Sequence, residues 1–350
     1  MAGTQREGRG SRVLLFLSFV TFVSFVPTVV DGCARRDSAG GRQVRLAVGG
    51  QNQLVYLPTT LAQELGFYRE EGLDVELQDH AGGAKALQSL IGGSSDVVSG
   101  FYDHTIQMAA EGRDFVAFVT MLRFPGLVLV TSPQAADAVA KIEDLKGRIA
   151  GVTAAGSSSQ MLLTYILLRH GIATDAVSIT PIGSAATAIA AIEHGKVDAA
   201  MVADPAFTRV AQRNPTVRVL ADLRSAAGVK DAFGAATYPS SVLYSKTEWV
   251  ESNRDTASKL ARAILRTLEW MHSHSPQEIA DKTPKALRGD DDALYMQAVK
   301  DSMPMFSPDG RMDAAGAEAV RALLAGSMEK VKAAQIDLSK TYTNEFTNGR

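Results

Sequence analysis

Residues 82–98, GGAKALQSLIGGSSDVV, align without a gap on residues 184–200, SAATAIAAIEHGKVDAA, so that Gly93 meets Gly195, Asp96 meets Asp198, Leu90 meets Ile192 and Ala86 meets Ala188. A chain that repeats a segment of this length folds one supersecondary unit twice, and each copy needs its own hydrophobic face covered. A second echo sets RFPGLVLVTS at 123–132 against TYPSSVLYS at 237–245, each an aromatic-proline pair leading into an apolar run. Two lobes of one design are therefore expected. The two aromatic-proline segments mark the places where the chain crosses between them, and proline stiffens such a hinge by fixing φ.

The runs at 44–48, 74–77, 96–99, 115–121, 127–131, 148–152, 177–181, 197–202 and 217–221 read as strands, with helical patterns between them at 58–68, 84–91, 158–170 and 185–194. Alternation of this kind implies parallel sheets covered on both faces. The expected fold is α/β, with two doubly wound lobes, a cleft between them and extra helices after Trp249. Lobe 1 is assigned to 44–122 and 238–350, and lobe 2 to 123–237. About 310 residues follow the N-terminal segment, more than one core normally serves.

That segment has the layout of an export signal: Arg6, Arg9 and Arg12, an apolar run at 13–26, then Pro27 and Gly32-Cys33. The run is shorter than the roughly 20 residues a membrane-spanning helix needs. Cys33 is the only cysteine, so no intramolecular disulfide is possible. Val30-Asp31-Gly32-Cys33 resembles a bacterial lipoprotein signal, apart from Asp31, where a small or apolar residue is usual. We expect residues 1–33 to direct export, Cys33 to carry a lipid and 34–43 to form a tether, placing the protein on the periplasmic or cell-surface side; ordinary cleavage leaving a free thiol is the alternative. With 36 basic against 38 acidic residues, nothing suggests a nucleic-acid surface.

In a parallel α/β lobe, ligands sit beyond the carboxyl ends of strands, where loops enter helices. Gly156, Ser157, Ser158 and Ser159 follow one strand and open a helix, offering hydroxyls and free N–H groups to an oxyanion; simple helix capping is the competing reading. An aspartate at 158 should suit such a helix start and cost no more than about 1 kcal/mol of stability. Gly82 and Gly83 open the matching helix of the first lobe and permit close approach of a ligand or of the facing lobe. Phe101 and Tyr102 could pack on a ligand's apolar body. Asp103 and Asp204 could accept hydrogen bonds from an amine or ring N–H, or cap the helices that follow. Gln51 and Asn52 lie in the loop after the first strand, facing the cleft or forming a plain polar turn. His80 and His104 have no partners at metal-ligand spacing, so no metal and no cofactor are expected.

The segments LPTTLAQELGFYREEGLDVEL, HAGGAKALQSLIGGSSDVVSG, EDLKGRIAGVTAAGSSSQMLLTYILLRHGI and AIAAIEHGKVDAAMVADP together resemble the type II periplasmic binding proteins of the nitrate, sulfonate, taurine and thiamine-pyrimidine-precursor group. The resemblance covers roughly 44–272. It implies a monomeric two-lobe clamp that delivers a small-molecule solute to an ABC permease and its ATPase. An enzyme of the same fold, such as a thiamine-pyrimidine synthase, goes with a cysteine-rich motif that this chain lacks. A ligand-sensing effector domain would carry a helix-turn-helix where the export signal stands. Nitrate, an alkanesulfonate, taurine, an aminopyrimidine or an aromatic acid would each suit the predicted loops.

Overall fold

The structure, a computed structural model, describes residues 41–348; the signal segment, Cys33 and residues 34–40 lie outside the described residues. The chain begins with β1 (Arg42–Val48), α1 (Leu57–Glu64), α2 (Phe67–Glu70), β2 (Leu73–Asp79), α3 (Gly83–Ile91), β3 (Val97–Phe101), α4 (Asp103–Ala110) and β4 (Phe115–Thr120). It then runs through β5 (Leu127–Thr131), β6 (Ile149–Val152), α5 (Ser158–Arg169), β7 (Ser178–Pro181), α6 (Ala185–Glu193), β8 (Ala199–Ala203), α7 (Ala206–Arg213), β9 (Val219–Asp222) and α8 (Ala226–Phe233). β10 (Ser241–Lys246) is followed by helices: α9 (Thr247–Ser252), α10 (Arg254–Ser273), α11 (Pro276–Lys282), α12 (Lys285–Arg288), α13 (Asp292–Ser302), α14 (Ala314–Ser327) and α15 (Glu329–Ala333). Arg42 and Gln43, read from sequence as the end of the tether, are strand residues paired with Leu73 and Asp74.

Two five-stranded sheets result, in the orders β2-β1-β3-β10-β4 and β7-β6-β8-β5-β9. Position by position these are the same sheet built twice. The sequence repeat is its signature: α3 and α6 fall at equivalent points of the aligned segments, as do β3 and β8, each the central strand of its sheet. The repeated residues do equivalent jobs. Gly93 and Gly195 both turn the chain at positive φ, +78° and +62°, where a side chain is strained. Asp96 accepts from Arg45 N and pairs with the Arg45 side chain, and Asp198 accepts from Ile149 N and pairs with Arg148. Each aspartate thus ties the entry of a central strand to the strand beside it.

The expectation of wholly parallel sheets is corrected at one strand in each. β10 runs antiparallel to β3 and β4, and β5 runs antiparallel to β8 and β9. A parallel neighbour needs a crossover within the same sheet, whereas β5 and β10 each enter from the other sheet. They are the strands that follow the two aromatic-proline segments. Those segments lie side by side: Tyr238 N donates to Arg123 O at 3.0 Å, Ser240 N to Leu122 O at 3.0 Å, and Ser240 Oγ to Phe124 O at 2.6 Å.

The long α10 buries Leu260, Ile264, Leu268 and Met271 at helical spacing and packs on α1 and β4. Further on, α13 packs against α7, while α14 touches both α4 and α5. The C-terminal helices therefore contact elements of both halves. No helix among the described residues is long and apolar enough to cross a membrane.

Candidate functional site

The strands β1, β3 and β6 end at a common point between the sheets. Gly49 follows β1, Phe101 ends β3 and Thr153 follows β6. These three, with Gln53, Val55, Tyr56, Gly83, Leu127, Ser157, Ser158 and Ser159, wall a small cavity of about 20 Å³, room for about one water molecule.

Residues of the two halves meet across it directly. Ser158 Oγ donates to Asp103 Oδ1 at 2.8 Å. Ala84 N donates to Ser157 Oγ at 3.2 Å, and Leu54 N donates to Asp204 O at 2.8 Å. Ser157 is the N-cap residue of α5, yet its hydroxyl makes no capping bond within that helix; it serves the first turn of α3 instead. Ser159 Oγ accepts from Thr153 N at 3.0 Å and bonds Thr153 Oγ1 at 2.8 Å. The three serines are thus spent on shaping the site rather than on capping their own helix. Gln160 N in the first turn of α5 donates to Ser157 O at 2.8 Å, so the N–H groups without an acceptor inside the helix are those of Ser158 and Ser159.

Gly82 shows why the facing wall is glycine. Its φ is +140°, and a Cβ there would stand 3.2 Å from Ser157 Oγ and 3.3 Å from Ala154 Cβ. A side chain would hold the halves apart.

Asp103 is the first residue of α4 and is buried, 1% exposed. Burial raises its pKa above the ordinary aspartate value, against the opposing influence of His104 and the Ser158 hydrogen bond. Its second oxygen, Oδ2, has no hydrogen-bond partner, and neither do the buried His104 Nε2 and Tyr238 hydroxyl. Tyr244 OH approaches His104 Nδ1 at 3.4 Å. Burial pushes up the phenols of Tyr56, Tyr238 and Tyr244, with the Asp103 charge adding to it at Tyr56 and Tyr238 and, after Tyr56, at Tyr244.

The residues picked out from sequence separate into groups. Gly83, Phe101, Ser157, Ser158 and Ser159 line the cavity, and Gly82 and Asp103 stand directly behind its walls. Tyr102 does not: its hydroxyl bonds Thr341 Oγ1 at 2.5 Å and its ring meets Tyr342 edge-on, so it anchors the C-terminal segment. Phe101 ends β3, whereas Tyr102 already has helical backbone angles (φ −62°, ψ −30°), so the two neighbouring rings are directed to different places. The Asp204 side chain caps and pairs rather than facing the cavity, with Oδ1 accepting from Thr208 N and Oγ1 and Oδ2 from Arg224 and Ser302. Gln51 and Asn52 also miss the cavity; Gln51 N donates to Asp79 Oδ1 at 2.7 Å. Their neighbour Gln53 lines it and donates to Gly49 O at 2.9 Å. Gly156 borders a separate surface groove with Gln160 and Met328. The missed Thr153 follows a predicted strand end, where the carboxyl-end rule points. For Tyr56, which follows a loop and a single helical turn, the sequence offers no such signal.

Comparison with known proteins agrees with this architecture. The family profile described as NMT1/THI5 like matches residues 53–279. A solved structure from Bordetella bronchiseptica RB50 is 37% identical, with a TM-score of 0.84, over 87% of this chain and 95% of that one. The alkanesulfonate-binding protein SsuA from Xanthomonas axonopodis pv. citri, solved bound to MOPS, shares the fold at a TM-score of 0.68 and 16% identity, over 86% and 98% of the two chains. A Bacillus subtilis (strain 168) protein, YtlA, described as a candidate binding protein, is 24% identical over 238 residues, 66% of each chain. With the profile spanning most of the chain and the fold shared throughout, the chain belongs to the NMT1/THI5-like family and has the two-lobed fold of periplasmic binding proteins.

Proposed function

We propose that the protein is an exported, lipid-anchored solute-binding component of an ABC importer. It would capture a small organic or anionic solute between lobe 1 (44–122 with 238–350) and lobe 2 (123–237) and present the closed form to a membrane permease. The observation that carries this reading is the cavity itself: it is walled by both sheets at their carboxyl ends and closed by side chains reaching from each half to the other. A cavity of this size admits a solute only when the halves part, as the paired crossing segments would allow. The serine-rich start of α5 would hold an acidic group of the solute, since helix N-termini attract anions. A receptor rather than a catalyst is favoured because the relatives found by comparison are named for binding.

A thermal-shift screen of sulfonates, carboxylates, nitrate, amines and pyrimidines tests the receptor reading. A solute at 100 times its dissociation constant should stabilise the folded protein by about 2.7 kcal/mol. A screen in which nothing raises the melting temperature would count against it. The anchor is tested separately in cells. Cys33→Ser should block globomycin-sensitive processing and release the protein from the membrane fraction; unchanged membrane association would refute the lipid anchor.

A further inference from the structure

Asp103 and Ser158 meet across the two halves, and both are buried. Ser158, the first residue of α5, donates its hydroxyl to Asp103 Oδ1 at 2.8 Å. Two neighbouring links, Ala84 N to Ser157 Oγ and Leu54 N to Asp204 O, each join a backbone amide to a neutral oxygen. Of the three, the Ser158–Asp103 bond is the one that ends on an ionisable group, so the state of that group bears on how firmly the halves are joined.

Asp103 is poorly equipped to stay charged in this place. Its Oδ2 is buried with no partner. The titratable groups that act on it or feel its charge are His104, beside it on α4, and the phenols of Tyr56, Tyr238 and Tyr244, from the segment after β1, the second crossing segment and β10. No lysine or arginine is among them. Burial outweighs the opposing influence of His104 and Ser158 and raises the Asp103 pKa. A neutral carboxyl tolerates such a setting far better than a carboxylate does. None of the titratable groups comes from the second sheet or its helices; Ser158 does.

We propose that Asp103 is a positioning residue for closure: with Ser158 it latches the two halves, and the latch holds firmly when the carboxyl carries its proton and weakly when it is charged. This deepens the clamp reading and rests on it. When the halves part, Ser158 withdraws with α5 and water takes its place at the carboxylate, which restores the solvation of the charged form. Closing then takes one proton from solvent onto Asp103, and opening returns it. The raised pKa belongs to the closed form, and the solvated carboxyl of the open form lies nearer the ordinary value of 3.8. The advantage of the closed form is therefore fully present below the ordinary value and is lost as pH rises through the closed-form value. A solute held by the closed form is accordingly held more tightly as its surroundings acidify.

The test needs no solute. Small-angle X-ray scattering of the free mature protein is recorded from pH 8 to pH 5 for wild type, Asp103→Asn and Ser158→Ala. Wild type should contract as the pH falls, its ratio of closed to open molecules rising about tenfold. Asp103→Asn keeps an acceptor for Ser158 but carries no charge; it should be more compact than wild type at pH 8 and lose the pH response, although His104 is still present. Ser158→Ala should be more open than wild type at pH 5. A wild-type profile that ignores pH, the same pH response in Asp103→Asn, or a Ser158→Ala protein as compact as wild type at pH 5 overturns the proposal. A purely structural aspartate would leave the wild-type radius independent of pH. Should one variant fail to fold, the other and the wild-type profile still decide. The receptor reading stands or falls on the solute screen, which these measurements on free protein do not enter.

Discussion

An Arg224→Met variant is expected to lose about 3–5 kcal/mol of folding stability, the usual cost of stripping one partner from a buried ion pair. Asp204 is 1% exposed and Arg224 13% exposed; Arg224 Nη1 lies 2.9 Å from Asp204 Oδ2 and Nη2 lies 2.6 Å from Asp222 Oδ2. The guanidinium also stacks over Phe207 at 4.8 Å, an apolar contact that methionine can largely keep, so the loss isolates the charge. Thr208 and Ser302 still donate to Asp204 but bring no positive charge. The consequence reaches beyond the second half, because Asp204 O accepts Leu54 N from the first half and Ser302 belongs to α13. Calorimetric unfolding should show the melting temperature fall by roughly 10 °C. Adding Asp204→Asn to Arg224→Met should restore much of the loss, since the buried unpaired charge is then gone and Asp222, whose side chain is 36% exposed, is left facing solvent. A loss below about 1 kcal/mol in the single variant would show that solvent reaches the pair.

Ser158→Asp should be both destabilised and unable to bind solute. Seen as a helix start alone, position 158 tolerates an aspartate, and the sequence suggested a cost of no more than about 1 kcal/mol. The structure revises that figure. Ser158 is buried and donates to Asp103, so the substitution sets two carboxyl groups within hydrogen-bonding reach in a site without a cation. At pH 7 the cost should be on the order of 3 kcal/mol. Lowering the pH should relieve it, because a carboxyl that takes up a proton can donate to its neighbour. Affinity for the solute should drop at least a hundredfold, as the new carboxylate competes for the N–H groups of α5. Urea unfolding at pH 4 and pH 7, with titration of the folded fraction, checks both parts. Wild-type stability and affinity would mean that the start of α5 holds no acidic group.

The architecture was legible because it rests on local pattern. Alternating apolar runs located the strands, and the repeat at Gly93/Gly195 and Asp96/Asp198 identified two copies of one sheet, since a positive-φ turn and a strand-entry clamp each demand one residue type. The reversed direction of β5 and β10 was not legible, because strand direction depends on which sheet the chain enters rather than on periodicity. At the site, the serines after β6 and the glycines before α3 could be read from the carboxyl-end rule, and so could Phe101 and Asp103. The residues that the structure places away from the cavity have a common reason for it. Neighbours in a loop or at a strand end face different ways, so Tyr102 turned to Thr341 while Phe101 faced the cavity, and Gln53 rather than Gln51 or Asn52 reached it. The partners that decided the fate of Asp204, Arg224 and Ser302, lie 20 and 98 residues away along the chain.

Closure of the two halves on a solute is tested most directly by small-angle X-ray scattering of the mature protein, free and saturated with whichever compound in the screen most raises its melting temperature. The bound form should contract toward the radius of about 19–20 Å expected for a compact chain of some 310 residues, and the free form should be measurably larger. An unchanged radius at saturation would contradict a clamp and leave binding to a rigid, preformed pocket.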